Sequence, residues 1–298
     1  MYGVDANGSR ALVHFDANLV PLAQIAGSNT QLDVVGELAT DSDGNVYTFW
    51  DGTVNVYPAS ASGNVAPVSS IVLNPPPGGS FKGASGFALD GAGGAFVRFF
   101  RGTDGIQCAI AHVTLTGPTT NATTAADCSE FGTNRPHAVH TFGIDGRGYL
   151  YAGFRSGDLG TSNIIRYTIG TGGTLKRDAA LVVISNIYGD PALFRVDTHG
   201  NVYSATTFNG HDATISVPDG KIITAYPASS FVSGKTTYGP DVASETFPGD
   251  VPLAIDASGN LFAHVSSGSG AIVVPNGSHT VSATSDFSPF RITATARR

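Results

Sequence analysis

The side chains best suited to chemistry in this chain are carboxylates and imidazoles that stand shortly before a recurring sequence position. Each lies four to eight residues ahead of that position, and the set comprises Glu37, His137, His140, Asp190, Asp250 and Asp286. Carboxylate and imidazole ligands without a thiolate suit Ca²⁺, Mg²⁺ or Zn²⁺, and a bound cation can polarise a carbonyl or hold an anionic substrate. The alternative is that acids close to a proline, such as Asp190 before Pro191, begin turns and bond their own backbone. The sequence alone leaves both interpretations open.

The recurring position is an aspartate that opens a phrase found five times. Each copy has a glycine three residues after the aspartate and an aromatic residue six after it, and the copies begin at Asp41, Asp90, Asp145, Asp197 and Asp256. Because the carboxylate accepts backbone N–H bonds and glycine tolerates positive φ, each phrase predicts a tight turn between two half-buried strands. Copies spaced 49 to 59 residues apart indicate stacked sheet units, as in the blades of a β-propeller.

The composition favours an all-β protein and disfavours several functional classes. The 298 residues include 38 glycines and only 13% charged residues, and helical periodicity is almost absent. A net charge of −7, with 16 Lys and Arg that form no run, disfavours a nucleic-acid partner. No apolar stretch approaches the length of about 18 residues that a membrane span needs. Because the repeat runs through the chain, we expect one domain covering residues 1–298.

A sixth, degenerate copy near the C-terminus predicts how the blades close into a ring. The segment Phe290–Thr293 matches Phe194–Asp197, with threonine in the place of the final aspartate. Tyr2–Val4 then resembles the strand that follows the turn, and residues 11–15 and 20–25 resemble the third and fourth strands. We therefore expect a six-bladed β-propeller with four-stranded antiparallel blades. One blade would take its inner strand from the C-terminus and its outer strands from the N-terminus, which removes exposed sheet edges.

The residues between Ile25 and Pro67 carry a family resemblance. They include the segment Gly36–Tyr47, the strand Val54–Tyr57 and the segment Ala61–Pro67. This arrangement, which recurs over nearly the whole chain, resembles the NHL-type repeats of bacterial exported proteins. The resemblance implies a six-bladed β-propeller. It leaves the function open, because that family includes scaffolds, ligand binders, lactonases and lyases.

A small ligand of a propeller most often sits at one mouth of the central channel, which the starts of the inner strands line. We call this predicted region the inner-strand mouth. Its candidate binding residues are Glu37, Arg135, His137, His140, Asp190, Arg195, Asp250, Asp286 and Arg291. Its candidate ligands for a divalent cation are Glu37, His140, Asp190, Asp250 and Asp286.

The catalytic patterns of the enzymatic relatives match this chain incompletely. Gluconolactonase-like propellers place one Glu, two Asn and one Asp at the inner-strand starts. Glu37 is in register here, but the matching positions read Gly86, Thr141, Leu193 and Pro252. The resemblance to peptide-amidating lyases requires three histidines from three blades, and this chain offers the cluster of His137 and His140 in one blade.

The incomplete patterns favour a non-catalytic binding or scaffold module, which would hold a small molecule, a glycan or a protein at one propeller face. The alternative is a metal-assisted lactonase or lyase at the inner-strand mouth. In that alternative the acids and one histidine hold the cation, and a second histidine, Arg195 or Arg291 serves as base or anion clamp.

Two cysteines favour an oxidising compartment. Cys108 and Cys128 lie symmetrically about Pro118, in a segment whose pattern predicts a hairpin that would bring them face to face. A disulfide between them predicts a secreted, periplasmic or cell-surface protein. The alternative is a pair of buried free thiols.

Overall fold

The computed structural model describes residues 1–5, 11–32, 35–82, 86–101, 106–126, 139–155, 161–184, 194–207, 221–239, 242, 244–248, 251–265, 270–285 and 289–293. Strands β1 to β9 are Tyr2–Asp5, Leu12–Phe15, Pro21–Ile25, Glu37–Thr40, Val46–Trp50, Thr53–Tyr57, Ser69–Asn74, Gly79–Ser80 and Phe87–Leu89. Strands β10 to β18 are Gly94–Arg101, Ile106–Thr114, Thr119–Asn121, Thr123–Ala126, Val139–Ile144, Tyr149–Arg155, Thr161–Ile169, Leu175–Ile184 and Phe194–Val196. Strands β19 to β27 are Val202–Thr207, Lys221–Tyr226, Thr236–Tyr238, Glu245–Phe247, Val251–Ile255, Leu261–Val265, Gly270–Val274, Ala283–Ser285 and Pro289–Thr293. Short 3₁₀ turns occupy Thr171–Gly173 and Ala228–Ser230.

The strands form six sheets, each of which is one blade of a β-propeller. From the centre outwards, blade 1 is β27-β1-β2-β3, blade 2 is β4-β5-β6-β7-β12, blade 3 is β9-β10-β11-β13 with β8 on the far end of β10, blade 4 is β14-β15-β16-β17-β21, blade 5 is β18-β19-β20-β22, and blade 6 is β23-β24-β25-β26. The inner strands contact one another in the order β4, β9, β14, β18, β23 and β27, and β27 contacts β4. The ring is therefore closed, as the repeat predicts.

Blade 1 is assembled from both ends of the described chain. Gly3 of β1 pairs antiparallel with Ile292 of β27 on one side and with Val13 of β2 on the other. The predicted outer strands at residues 11–15 and 20–25 correspond to β2 and β3. The expected closure by a C-terminal inner strand and N-terminal outer strands is confirmed.

Three blades differ from the expected four strands. Blade 3 carries the additional short antiparallel strand β8, and blades 2 and 4 each carry a fifth strand that runs parallel to the outer strand. In blade 2, β12 pairs with β7, with Thr120 opposite Leu73. In blade 4, β21 pairs with β17, with Thr237 opposite Leu181. Both added strands come from the connection between the third and fourth strands of the next blade, which reaches backwards over the outer edge.

This backward reach occurs around the ring, and we call the connection between the third and fourth strands of each blade its latch. In blade 2, Gly63 donates to Gln24 O and accepts from Ala26 N–H, so it bridges to the outer strand of blade 1. The blade 4 latch places Gly173 directly against the His112 ring of blade 3. The latches of blades 6 and 1 act through single side chains. His279 contacts blade 5, and Leu19 is buried in an apolar cluster of blade 6.

The apolar core lies between the blades, because alternate residues of each strand face opposite neighbours. In β10, Val97 packs in the cluster shared with blade 2, whereas Phe96 packs in the cluster shared with blade 4. The rings of Phe49 from blade 2 and Phe87 from blade 3 stack with centroids 5.5 Å apart. Each joint between blades is therefore a separate unit of hydrophobic stabilisation.

Candidate functional site

The five aspartate phrases form turns of one geometry, each between an inner strand and the second strand of its blade. In blade 4, Asp145 Oδ1 accepts the N–H groups of Arg147 at 2.9 Å and Tyr149 at 3.0 Å. The same pair of bonds, from residues two and four positions later, recurs at Asp41, Asp90, Asp197 and Asp256. The glycine three residues after each aspartate has a φ between +82° and +89°, which a residue with a Cβ adopts only with strain. The predicted turns are confirmed.

The second carboxylate oxygen of each turn aspartate also receives a donor, although the donor differs between blades. Asp41 Oδ2 accepts from Asn45 Nδ2 at 2.8 Å and from the Tyr47 hydroxyl at 3.2 Å. Asp90 Oδ2 lies 2.8 Å from His112 Nε2 instead. In the remaining turns the donors are Arg147 and Tyr151, Asn201, and Asn260. Both oxygens of each turn carboxylate are therefore engaged in hydrogen bonds within the protein.

The hydrogen bonds and burial of the turns change the ionisation of their side chains. Burial, together with the neighbouring Asp41, raises the pKa of Tyr47 to about 12, so its hydroxyl stays protonated. At Asp90, burial raises the pKa, but the bonds from His112, Ala92 and Gly94 outweigh burial and bring the pKa below its usual value. Tyr47 is therefore neutral and Asp90 is ionised at neutral pH.

A sixth turn of this kind lies in the latch of blade 1, where the sequence phrase does not predict it. Asp16 Oδ1 accepts the N–H groups of Asn18 and Val20, both at 2.8 Å. Leu19 occupies the position of the glycine, with a φ of +63°. Its burial against Ala254 and Phe262 of blade 6 holds it in this strained conformation.

The aspartate turns of blades 2 to 5 surround a cavity of about 790 Å³, which we call the turn-face groove. Its lining residues are Thr40, Asp41, Ser42, Tyr47, Leu89, Gly91, Gly93, Gly94, Leu115, Ile144, Asp145, Gly146, Arg147, Gly148, Thr198 and His199. Because the turns follow the inner strands, the groove lies at the opposite end of these strands from the predicted inner-strand mouth. Sequence reasoning missed it.

The groove exists because the blade 3 turn is almost bare of side chains. Gly91, Gly93 and Gly94 of this turn line the groove. The position of Gly91 is Ser42 in the blade 2 turn, and the position of Gly94 is Tyr149 in the blade 4 turn. A Cβ at Gly93 would meet nothing within 4 Å, whereas a Cβ at Gly94 would collide with the Asp90 carboxylate. A ligand can therefore approach the backbone of this turn closely. The run Asp90-Gly-Ala-Gly-Gly was the sequence signal that could have located the groove.

The rest of the lining combines apolar and polar groups. Leu89, Leu115 and Ile144 supply apolar surface. Arg147, whose side chain is 44% exposed, donates from Nε at 3.0 Å and from Nη2 at 2.8 Å to Asp145 Oδ2. The blade 4 and blade 5 turns are joined by a 3.0 Å hydrogen bond from Gly146 N–H to Thr198 O. The groove is thus a preformed feature of hydrogen-bonded turns.

The structure describes only part of the predicted inner-strand mouth. Arg135, His137, Asp190, Asp250 and Asp286 lie outside the described residues, as does Cys128 of the predicted disulfide. His140 and Arg291 lie on the inner strands β14 and β27, and Cys108 lies on β11.

Two residues of the inner-strand mouth have described side chains. Glu37 begins β4 and is buried, with 9% exposure. Arg195 is half-buried on β18, and its Nη1 donates to Phe194 O at 2.8 Å. These two lie on inner strands that are not neighbours in the ring, and the assembly of the predicted site stays a prediction. Over the described ranges, no three His, Cys, Asp or Glu side chains cluster closely enough to hold a metal ion.

Comparison with known proteins identifies the fold but not a family. No protein-family model and no curated protein matches the chain. A chain of a nidogen/laminin complex is similar with a TM-score of 0.57 at 15% identity, covering 99% of this chain and 96% of the other. A protein of unknown function from Bacteroides caccae gives a TM-score of 0.53 at 12% identity, covering 98% and 96%. The PQQ-bound aldose sugar dehydrogenase from Streptomyces coelicolor gives 0.52 at 15% identity, covering 92% and 87%.

At these identities the likeness is to the propeller fold alone. Among the described residues, no helix is long and apolar enough to cross a membrane.

Proposed function

We propose that the protein is an exported binding module whose ligand occupies the turn-face groove. The observation that carries this proposal is the cavity itself, at which the turns of four consecutive blades meet around a turn without large side chains. Its volume of about 790 Å³ lies within the range of about 300–1,000 Å³ that is typical of ligand sites. The assignment to NHL-type propellers is part of the same proposal.

Rigidity of the lining supports this binding function. Asp41 and Asp145 fix their turns through bonds from both carboxylate oxygens, and the Gly146 to Thr198 bond ties two turns together. A ligand that enters such a site does not have to order loops, so less of its interaction energy is lost on binding.

A thermal-shift screen of small molecules, glycans and peptides tests the proposal. A ligand of the groove should stabilise the wild type by about 2.7 kcal/mol at a hundred times its Kd. Ser42→Trp places an indole in the groove and should abolish the shift. Ala257→Trp is the matched control, since Ala257 holds the same turn position in blade 6, outside the groove. Ligands that stabilise both variants equally would refute the groove as the site.

Export through an oxidising compartment is the second part of the proposal. Ile110 of β11 pairs with Ala126 of β13, and Cys108 and Cys128 each lie two residues beyond this pair in sequence. A continued antiparallel register supports a disulfide between the two cysteines. Intact-mass measurement after thiol alkylation, with and without reductant, should show two protected thiols. Labelling of both cysteines without reductant would contradict this.

The inner-strand mouth supports a second candidate function, a metal-assisted lactonase or lyase. Glu37 is a buried carboxylate at an inner-strand start, and the Thr141 hydroxyl on β14 is buried without a partner among the described residues. Metal analysis of the purified protein with and without chelator tests this candidate. A metal-free preparation whose Tm ignores added Ca²⁺, Mg²⁺ and Zn²⁺ would rule it out.

A further inference from the structure

The carboxylates in the turn-face groove are not available to a cationic ligand. Asp41 accepts four hydrogen bonds, two at Oδ1 from backbone N–H groups and two at Oδ2 from Asn45 and Tyr47. Asp145 is engaged in the same way, with Arg147 and Tyr151 at Oδ2. A metal ion or an ammonium group would have to break these bonds, and with them the turns.

The groove does not favour an anionic ligand either. The guanidinium of Arg147 is already paired with Asp145, so the pair carries no net charge. Counted over the lining, Asp41, Asp145 and Arg147 give a net charge of −1 with His199 neutral, which does not favour an anionic polymer.

The remaining chemistry suits an uncharged ring that is apolar on its faces and polar at its edge. Gly91, Gly93 and Gly94 offer backbone surface without side chains, and Leu89 and Ile144 add apolar contact. Hydroxyl groups of Ser42, Tyr47 and Thr198 and the His199 imidazole line the same groove. A pyranose has this division between apolar faces and hydroxylated edge, whereas a flat apolar ring would cover the Ser42 hydroxyl without bonding to it.

We propose that the turn-face groove binds a neutral saccharide, and this inference rests on the proposed binding function. Because the lining extends over the turns of blades 2 to 5, the ligand is an oligosaccharide that contacts several turns. Hydroxyl, imidazole and guanidinium groups of the lining form hydrogen bonds with the hydroxyl groups at the sugar edges. The backbone of the glycine turn packs against the ring faces.

Isothermal titration with matched neutral and charged oligosaccharides tests the inference. The probes are cellotetraose, maltotetraose and N-acetylchitotetraose, with tetragalacturonate as the anionic counterpart. At least one neutral probe should bind, with a Kd that changes less than about twofold between 50 and 300 mM NaCl because no ion pair forms. Ser42→Trp should weaken this binding at least tenfold, and Ala257→Trp should leave it within about twofold of wild type.

A second pair of variants guards against a folding defect in Ser42→Trp. His199→Trp lies in the blade 5 turn and should also weaken binding, whereas Ser258→Trp, at the same position of the blade 6 turn, should not. Circular dichroism and Tm of all four variants establish that each is folded.

The outcomes separate this inference from the binding function itself. Failure of all neutral probes, or tighter salt-sensitive binding of tetragalacturonate, overturns the saccharide assignment. If a ligand of another class then loses its thermal shift in Ser42→Trp, the groove remains the binding site. Saccharide binding that is indifferent to both groove variants overturns the groove as well.

Discussion

The joint between blades 4 and 5 differs from the joint between blades 5 and 6. In both joints the latch of one blade contacts the outer strands of the preceding blade, but different side chains make the contact. At the 4/5 joint, Arg166 is 6% exposed and donates from Nε to Asp178 at 2.6 Å. Its guanidinium lies 4.6 Å from the Tyr149 ring and 5.7 Å from the Phe231 ring of the blade 5 latch. The same latch also supplies strand β21, which pairs with blade 4.

The 5/6 joint has a lighter contact. His279 of the blade 6 latch stacks on Phe247 at 4.8 Å and lies 3.0 Å from Thr246 O, and its side chain is largely exposed. Repeats with one fold therefore form joints whose latch contacts differ in burial and number. Since each joint is a separate apolar unit, we expect the ring to open first where the latch is lightest.

The largest effect should come from removing the buried cation of the 4/5 joint. Arg166→Ala removes a buried cation and leaves the half-buried Asp178 without its partner, which should cost about 3 kcal/mol of unfolding free energy. Chemical denaturation measures this loss. Arg177→Ala is the control, because Arg177 is exposed on β17 beside Asp178 and should change stability by less than about 0.5 kcal/mol. Equal losses of unfolding free energy in the two variants would contradict a special role of Arg166 in the 4/5 joint.

The 6/1 joint should rank next, because one buried leucine forms its latch contact. Leu19→Ala removes apolar contact with Ala254 and Phe262 and should cost about 2–3 kcal/mol. Leu19→Gly removes one carbon more, yet it should be no less stable than Leu19→Ala, because glycine relieves the strain at a φ of +63°. A Leu19→Gly protein that is clearly less stable than Leu19→Ala would show that this φ is not strained.

Within blade 3, Asp90 adds a pH-dependent contribution through its bond to His112, the residue that contacts the blade 4 latch. The pKa of Asp90 lies below its usual value, so the folded state favours the ionised form. This stabilisation is present above the unfolded pKa of about 3.9 and is lost as pH falls through the folded value. Asp90→Asn should cost about 1–2 kcal/mol at pH 7, and the difference from wild type should shrink below about pH 4.

Denaturation curves from pH 7 to pH 3 check the behaviour of Asp90. Asp43→Asn, at an exposed position of the blade 2 turn, should stay within about 0.5 kcal/mol of wild type over the same range. A constant deficit for Asp90→Asn across all pH values would mean that its charge contributes nothing.

The smallest effect is expected at the 5/6 joint. His279→Ala removes an exposed stack and one hydrogen bond, so it should cost less than about 1 kcal/mol. Amide hydrogen exchange compares the two joints directly. In the wild type, the amides of β22 and β26 should exchange faster than those of β17 and β21. The opposite order of exchange would place the weak joint elsewhere.

The repeating features of this fold could be predicted because their information is local. The turn around Asp145 needs only an aspartate, two backbone N–H groups and a glycine within five residues. The same regularity, counted around the ring, predicts six blades and the pairing of β27 with β1.

The latches and the groove could not be predicted from local pattern. Leu19 takes the place of the glycine in the phrase, and its distant contacts with residues 254 and 262 are not visible in the local sequence. From sequence, Thr119–Asn121 resembles part of a hairpin loop. It forms a strand because it pairs with the outer edge of β7. The groove depends on the absence of side chains from the blade 3 turn, and glycines carry no reactive group that would mark the site in the sequence. The prediction of an acidic inner-strand mouth remains a prediction.

The shared membership of blade 1 bears on how the protein is synthesised. Strands β1 to β3 leave the ribosome before the other described strands, but the inner partner of β1 is β27, the last described strand. Throughout translation, β1 therefore presents an unpaired edge that other nascent chains can join. A chaperone that shields this edge until the final strand emerges should raise the yield of soluble protein.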